Sequence, residues 1–188
     1  MSKTIESLIN YIPYDEQEKK DKEFIIQCEQ KLGDILHRTN EICHLCSSAF
    51  IVNPERTKVL CIFHNIYKSW GWVGGHADGD DDMLYVAKKE TQEETSLQNF
   101  RVVSLAPISI DTLPVISHFK KGKFVPAHIH LCFTYLIEAD ETETVHMLEE
   151  ENSNVGWLTF DELVEKSTEP HMQNVYKKIK NKIKNKSF

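Results

Sequence analysis

Apolar positions along this chain follow two different periods, and the change falls near Ile42. Before it, Asp15 to Leu36 carries Phe24, Ile25, Cys28, Leu32, Ile35 and Leu36 at helix-like spacing, one apolar stripe on a polar segment. Asp15 and Glu16 can start that helix, and Asp21 and Glu23 add early negative charge. After it, Ala49-Phe50-Ile51-Val52 and Lys58-Val59-Leu60-Cys61-Ile62-Phe63 are β-rich runs flanking Asn53-Pro54-Glu55-Arg56, the pattern of a hairpin. A loop with Trp70 and Trp72 leads into Gly74-Gly75, which reads as a turn. A helix is predicted from about Asp82 to Thr95, with Asp80, Asp81 or Asp82 as N-cap.

Further strands are predicted within Phe100 to Ile110 and His118 to Ile137, the second broken by a turn at Lys121-Gly122. Val155 to Leu158 reads as a short strand. Thr159 followed by Glu162 is a capping box, so a helix should run on to about Lys166. Pro170 interrupts, and a last helix passes through Val175, Ile179 and Ile183. Strands and helices interleave without the period of a doubly wound sheet, which predicts an α/β fold with a mixed sheet.

Composition narrows the setting. A chain of 188 residues reads as one domain with decorations. Its formal net charge of −7 argues against general nucleic-acid binding. A small phosphorylated substrate is not excluded, because a bound metal can offset local acid. No apolar run follows Lys3 as in a signal peptide, and no apolar stretch is long enough to span a bilayer. Five cysteines, an odd number, fit reduced thiols. The expectation is a cytoplasmic chain with no membrane partner. Cys43-His44-Leu45-Cys46 has the form of half a zinc site, but Cys61 and Cys132 stand alone. A structural zinc site needs four convergent ligands, so the segment reads as small buried residues at a strand start.

The segment Gly74 to Leu97 carries the chemistry. Glu90, Glu93 and Glu94 fall three and four positions apart, so all three carboxylates share one helix face. Crowded carboxylates repel, and a divalent cation would neutralise them. Oxygen-only ligands suit magnesium, or manganese, rather than zinc.

The spacing is specific. Gly75, five residues, Asp81, seven residues and then Lys89-Glu90-Thr91-Gln92-Glu93-Glu94-Thr95-Ser96-Leu97 resembles the Nudix box. Four positions depart from that signature: Asp81 for Glu, Lys89 for Arg, Thr91 for an apolar residue and Ser96 for Gly. The resemblance implies an α/β/α sandwich with a mixed sheet, plus N-terminal and C-terminal helices. It divides the chain into a helical extension (1–40), the Nudix domain (41–168) and a basic C-terminal helix (169–188). That tail is expected to be a frayed, solvated helix rather than a membrane or nucleic-acid contact.

By the same resemblance, Glu90, Glu93 and Glu94 are metal ligands and catalytic residues, and the backbone carbonyl of Gly74 is a further ligand. The implied cofactor is Mg2+, with Mn2+ as its substitute. The implied reaction is water attack on a diphosphate, usually a nucleoside diphosphate linked to another moiety. Asp81 either caps the helix or supports the metal. Lys89 keeps the charge of an Arg that orients a box glutamate, but loses its planar fork. Ser96 sits where glycine is favoured at a helix end. The general base is Glu90 or a carboxylate of the run Glu149-Glu150-Glu151, which otherwise reads as a solvated loop. His128 and His130 alternate with apolar residues and share one strand face, either meeting phosphate or serving structure. His76 either touches substrate or metal or stabilises its turn. Trp70 and Trp72 read as core residues first and base-stacking groups second.

The implied partner is a small, nucleotide-derived phosphorylated substrate, and a homodimer is compatible with the sequence. Two other readings compete. A non-catalytic Nudix-like sensor would usually lose box carboxylates, and all three are present. A diphosphate isomerase of the isopentenyl type shares the fold and a Gly-His pair, but places a catalytic Cys where this chain has Gly74.

Overall fold

The computed structural model describes residues 2–120, 122–147 and 152–188. Two helices, α1 (Lys3–Asn10) and α2 (Glu16–Leu32), precede the first strands. Then come β1 (Cys43–Val52), β2 (Lys58–His64), β3 (Ser69–Gly71), β4 (Val73–His76) and α3 (Met83–Thr95). They are followed by β5 (Arg101–Val102), β6 (Ser109–Val115), β7 (His118–Lys120), β8 (Lys123–Val125), β9 (His128–Glu138) and β10 (Asn152–Thr159). The chain closes with α4 (Phe160–Lys166) and α5 (Pro170–Asn185).

All strands but β7 and β8 form one sheet, with the path β10-β2-β1-β9-β5. β1 and β9 run parallel from Cys43↔Ile129 to Val52↔Glu138. Every residue of β1 is buried, as expected for a strand covered on both faces. One edge of β1 serves two partners. β4 pairs along Cys46 to Ala49 and β2 along Ile51 and Val52, both antiparallel. β6 and β5 divide the outer edge of β9 in the same way. The sheet is therefore mixed and curled.

Alternation sorts β1 between two cores. Cys43, Leu45, Ala49 and Ile51 join a cluster with Ile25, Cys28, Met83, Val86 and Ala87 of α2 and α3. Cys46, Phe50 and Val52 join another with Leu163, Met172, Tyr176 and Ile179 of α4 and α5. The expected α/β/α layering follows from that division.

Several boundaries differ from the sequence reading. The predicted stripe ran to Leu36, but α2 stops at Leu32, followed by Gly33 at φ 73°. Phe24 and Leu32 are 38% and 39% exposed, while Ile25 and Cys28 carry the packing. Gly74-Gly75 is not a turn but the middle of β4. The turn comes after it, where Asp78 and Gly79 take positive φ. Pro170 does not interrupt a helix; it begins α5, where its missing N–H costs nothing. The capping box of Thr159 and Glu162 is present in both directions. Residues 121 and 149–151, where a turn and an acidic loop were expected, lie outside the described residues.

The tail is not frayed. Lys178 and Lys182 of α5 are buried, and both reach the fully buried Glu18 of α2. Lys182 Nζ donates to Glu18 Oε1 at 2.9 Å, and Lys178 Nζ donates to Asp111 Oδ1 of β6 at 2.6 Å. The Tyr11 hydroxyl donates to Glu18 Oε2 at 2.6 Å. The basic residues that looked solvated therefore close a network joining the first helices, the sheet and the last helix. Among the described residues, no helix is long and apolar enough to cross a membrane.

Burial alone would raise the Glu18 carboxyl, but Lys178, the Tyr11 hydroxyl, the Tyr14 N–H and Lys182 outweigh it and hold the group below its ordinary range. Its stabilising contribution is therefore complete above the unfolded-state value, about 4.3, and is lost as pH falls through the lower folded value. Glu18→Gln leaves two buried ammonium groups short of a counter-charge. It should cost about 3–5 kcal/mol in urea unfolding at neutral pH. The wild-type advantage should shrink in acid, below the ordinary glutamate range.

Candidate functional site

The site begins with a close approach between backbone and carboxylates. Gly74 pairs with Ser48 across β1 and β4. A Cβ on Gly74 would lie 2.5 Å from Ser48 Oγ and 2.7 Å from the Ser47 carbonyl oxygen. A Cβ on Gly75 would fall on the Glu90 carboxylate. Only glycine permits both contacts, so Gly74-Gly75 reflects proximity to neighbours rather than turn formation.

Helix α3 presents the acids to this strand. Asp82 caps it, its side chain accepting from Tyr85 N–H. Thr91, at a position that is apolar in the box signature, is fully buried and satisfies its hydroxyl on the Ala87 carbonyl at 2.8 Å. Ser96 closes the helix with φ 62°, the left-handed geometry that glycine would take more easily. Leu97 behind it is fully buried.

Glu94 is 5% exposed, and both its oxygens are engaged. Gly74 N–H donates to Oε2 at 3.0 Å, and Asn152 Nδ2 donates to Oε1 at 3.1 Å. Glu93 is exposed and 3.8 Å from the Lys89 ammonium, the loose pairing expected when Lys replaces Arg. Asp81 does not cap α3, a place Asp82 takes. Its carboxylate accepts from the N–H groups of Lys3 at 2.7 Å and Thr4 at 3.1 Å. It therefore anchors the N-terminus of α1, where unsatisfied N–H groups and the helix dipole favour an anion.

Gly74, His76, Lys89, Glu90, Glu93, Glu94, His128 and His130 all line one cavity of about 580 Å³. Arg38, Lys120 and Lys123 line the same cavity and add positive charge. Trp70 and Trp72 contribute to its wall while packing edge-on against Phe63 and Tyr176, at centroid separations of 5.7 and 5.5 Å. Glu149, Glu150 and Glu151, the other candidates for a base or ligand, lie outside the described residues.

On the α5 side of the sheet the cavity wall is built of imidazoles. Alternation points His44 and Cys46 of β1 to one face, with His76 of β4 opposite Cys46 and His130 of β9 opposite His44. Donor atoms of His44, Cys46, His76 and His130 all lie within 4.8 Å of one another. His128 Nε2 is 3.2 Å from His130 Nε2, while its Nδ1 faces the Pro126 carbonyl at 2.8 Å. Burial pushes His76 down to about 3 and His130 down to about 2, so both rings are neutral at physiological pH.

Two features escaped the sequence reading. Asn152 lies just beyond the acidic run, and nothing in its local pattern connects it to Glu94, 58 positions away. The Cys-His-Leu-Cys segment was set aside for want of a second cysteine pair. Its companions are histidines on other strands. Cys43 itself faces the opposite core, so the usable pair is His44 and Cys46.

The NUDIX domain family model matches residues 44–179. A comparison with curated proteins gives no significant match. Among solved structures, an Ap4A hydrolase binary complex from C. elegans is 17% identical with a TM-score of 0.55. It covers 77% of this chain and 98% of its own. The MutT protein from Methanosarcina mazei Go1 is 14% identical with a TM-score of 0.55, covering 77% of this chain and 98% of its own. The dihydroneopterin triphosphate pyrophosphohydrolase of E. coli is 11% identical with a TM-score of 0.54, covering 71% of this chain and 92% of its own. At such identities these likenesses speak to the fold alone.

The close approach at Gly74 makes a direct expectation. Gly74→Ala forces its methyl against Ser47 and Ser48 backbone, which cannot swing away. It should lower unfolding free energy by about 1–3 kcal/mol in urea titration. Gly156→Ala is the control, since nothing lies within 4 Å of a Cβ there. Its effect should stay within about 0.5 kcal/mol.

Proposed function

This chain belongs to the Nudix family, and from that premise we propose that it hydrolyses the pyrophosphate bond of a nucleoside diphosphate linked to another group, with Mg2+ or Mn2+ held by Glu90, Glu93 and Glu94. The observation that supports the reading is that these three carboxylates and Gly74 line one cavity, with Glu94 bonded to the Gly74 N–H. Oxygen donors alone, with Cβ-free backbone beside them, fit a small hard cation. A divalent ion there supplies positive charge to the diphosphate oxygens and makes a nearby water more acidic.

The chain's own residues supply the rest. Gly74 N–H and Asn152 fix both oxygens of Glu94, so its orientation does not have to be found anew when a ligand arrives. We assign proton removal from the attacking water to Glu90, packed against Gly75. Lys120 and Lys123 offer positive charge to a polyanionic substrate, while Arg38 and Lys89 are already paired with Asp78 and Glu93. Little covalent chemistry is asked of the protein; positioning and electrostatics carry the reaction.

The test mixes purified protein and Mg2+ with a panel of nucleoside diphosphate derivatives and follows nucleotide or phosphate release. Glu94→Gln should abolish most turnover with an unchanged far-UV circular dichroism spectrum. Asn152→Ala, which frees one Glu94 oxygen, should cost about 10–100-fold. A folded wild-type protein that releases nothing across a broad panel would overturn the proposal.

A further inference from the structure

The imidazole wall of the cavity has the makings of a second metal centre, chemically unlike the first. We propose that His44, Cys46, His76 and His130 bind one zinc-type divalent ion, a structural centre that ties β1, β4 and β9 together beside the box carboxylates. It does not depend on the hydrolase reading.

Three observations carry it. The first is the donor set. Three imidazoles and one thiol sulfur, mutually within 4.8 Å, give four donors. Nitrogen and sulfur donors of that number suit tetrahedral zinc and are poor partners for magnesium. With bond lengths of about 2.0–2.3 Å, an ideal tetrahedron has donor–donor edges of roughly 3.4–3.6 Å. Closing the cluster onto an ion therefore asks for movements of about an ångström, within reach of side-chain rotation.

The second is an orphan. His44 is 3% exposed, and its Nε2 is a buried polar atom with no hydrogen-bond partner. Its Nδ1 faces the Asn40 carbonyl at 3.1 Å. A neutral ring that donates from Nδ1 to a carbonyl bears its lone pair on Nε2. That is the arrangement by which backbone carbonyls orient metal-binding histidines. A buried acceptor left unmatched costs free energy, and a cation removes the cost.

The third is how the residues come together. They lie on neighbouring strands, with Cys46 opposite His76 and His44 opposite His130. Sheet register, rather than a flexible loop, brings them together. The rings stack and tilt at centroid separations of 4.8–5.1 Å, with His128 beside them. Cys46 is a thiol without the ion; binding transfers its proton to solvent and leaves a thiolate on the metal.

The centre would have a consequence for the box. His76 follows Gly75 directly, and Gly75 touches Glu90 while Gly74 binds Glu94. An ion gripping His76 pins β4 against β1 from the opposite face of the strand.

The experiment uses the full chain, stripped with a chelator and titrated with Co2+ as a spectroscopic probe. The expected result is one equivalent of cobalt with tetrahedral absorption and a sulfur-to-cobalt charge-transfer band, displaced by Zn2+ but not by excess Mg2+. Cys46→Ser should lose the sulfur band. His130→Ala should weaken binding by more than about 100-fold, since even outer partners are worth 10–100-fold. Glu94→Gln should keep the cobalt spectrum, which separates this centre from the box. The inference is overturned if the wild-type chain shows no sulfur-to-cobalt band. It is also overturned if the band survives Cys46→Ser, if His130→Ala binds cobalt as tightly as the wild type, or if the band is lost in Glu94→Gln.

Discussion

The close passage of β4 between β1 and α3 is the constraint on which the rest of the site depends. Two consecutive residues without Cβ atoms let the strand lie against Ser47 and Ser48 on one side and against Glu90 on the other. That contact brings a backbone N–H within hydrogen-bonding reach of Glu94. It also sets the register that carries His76 onto the opposite face, opposite Cys46. A side chain at Gly74 would press on the backbone of β1, and one at Gly75 would displace the Glu90 carboxylate.

Charge around the cavity is mixed, with carboxylates and bases on the same lining. The chain carries a net −7, and Glu90, Glu93 and Glu94 line the cavity together with Glu41, Asp78 and Glu169. Arg38, Lys89, Lys120 and Lys123 stand around the same cavity. A polyanion meeting the box without a cation would be repelled at short range and attracted by the rim. A divalent ion, held on the carboxylates as proposed, would reverse the first effect and leave the second. His76 and His130 add none of this charge, because burial keeps both rings neutral. They are suited to donate lone pairs or single hydrogen bonds, not to act as cations toward phosphate.

How much was legible in the sequence depends on the range of the interaction. The helix carrying Glu90, Glu93 and Glu94 and the Thr159–Glu162 box are local patterns and could be read directly, while the cap was narrowed only to Asp80, Asp81 or Asp82, of which Asp82 serves. The Nudix spacing gave the fold because fixed offsets along one turn of strand and helix encode one local geometry. What the sequence hid was long-range pairing. Asp81 looked like a helix cap because it stands before α3, yet it serves α1, 77 positions away. Lys178 and Lys182 looked like solvent-facing charge because their partner Glu18 lies at the other end of the chain. The Cys-His-Leu-Cys segment seemed to lack partners because complementary histidines lie on strands whose register no local pattern reveals.

The Glu18 network and Asp81 together explain why the helices outside the box are attached to it. Asp81 sits within the box spacing and fastens α1 by two backbone N–H groups. Tyr11, at the end of that helix, bonds Glu18, and Glu18 gathers two lysines of α5. Tyr176 of the same α5 reaches back to Trp72, its hydroxyl 3.4 Å from the backbone nitrogen two residues before Gly74. The polar links thus run from the box through both ends of the chain and return to the strand that carries its glycines. Each buried ionic link is costly to break singly, because the partner left behind is uncompensated. The short Asp at position 81 therefore need not be a weakened metal support: its carboxylate anchors the helical layer that covers this side of the sheet.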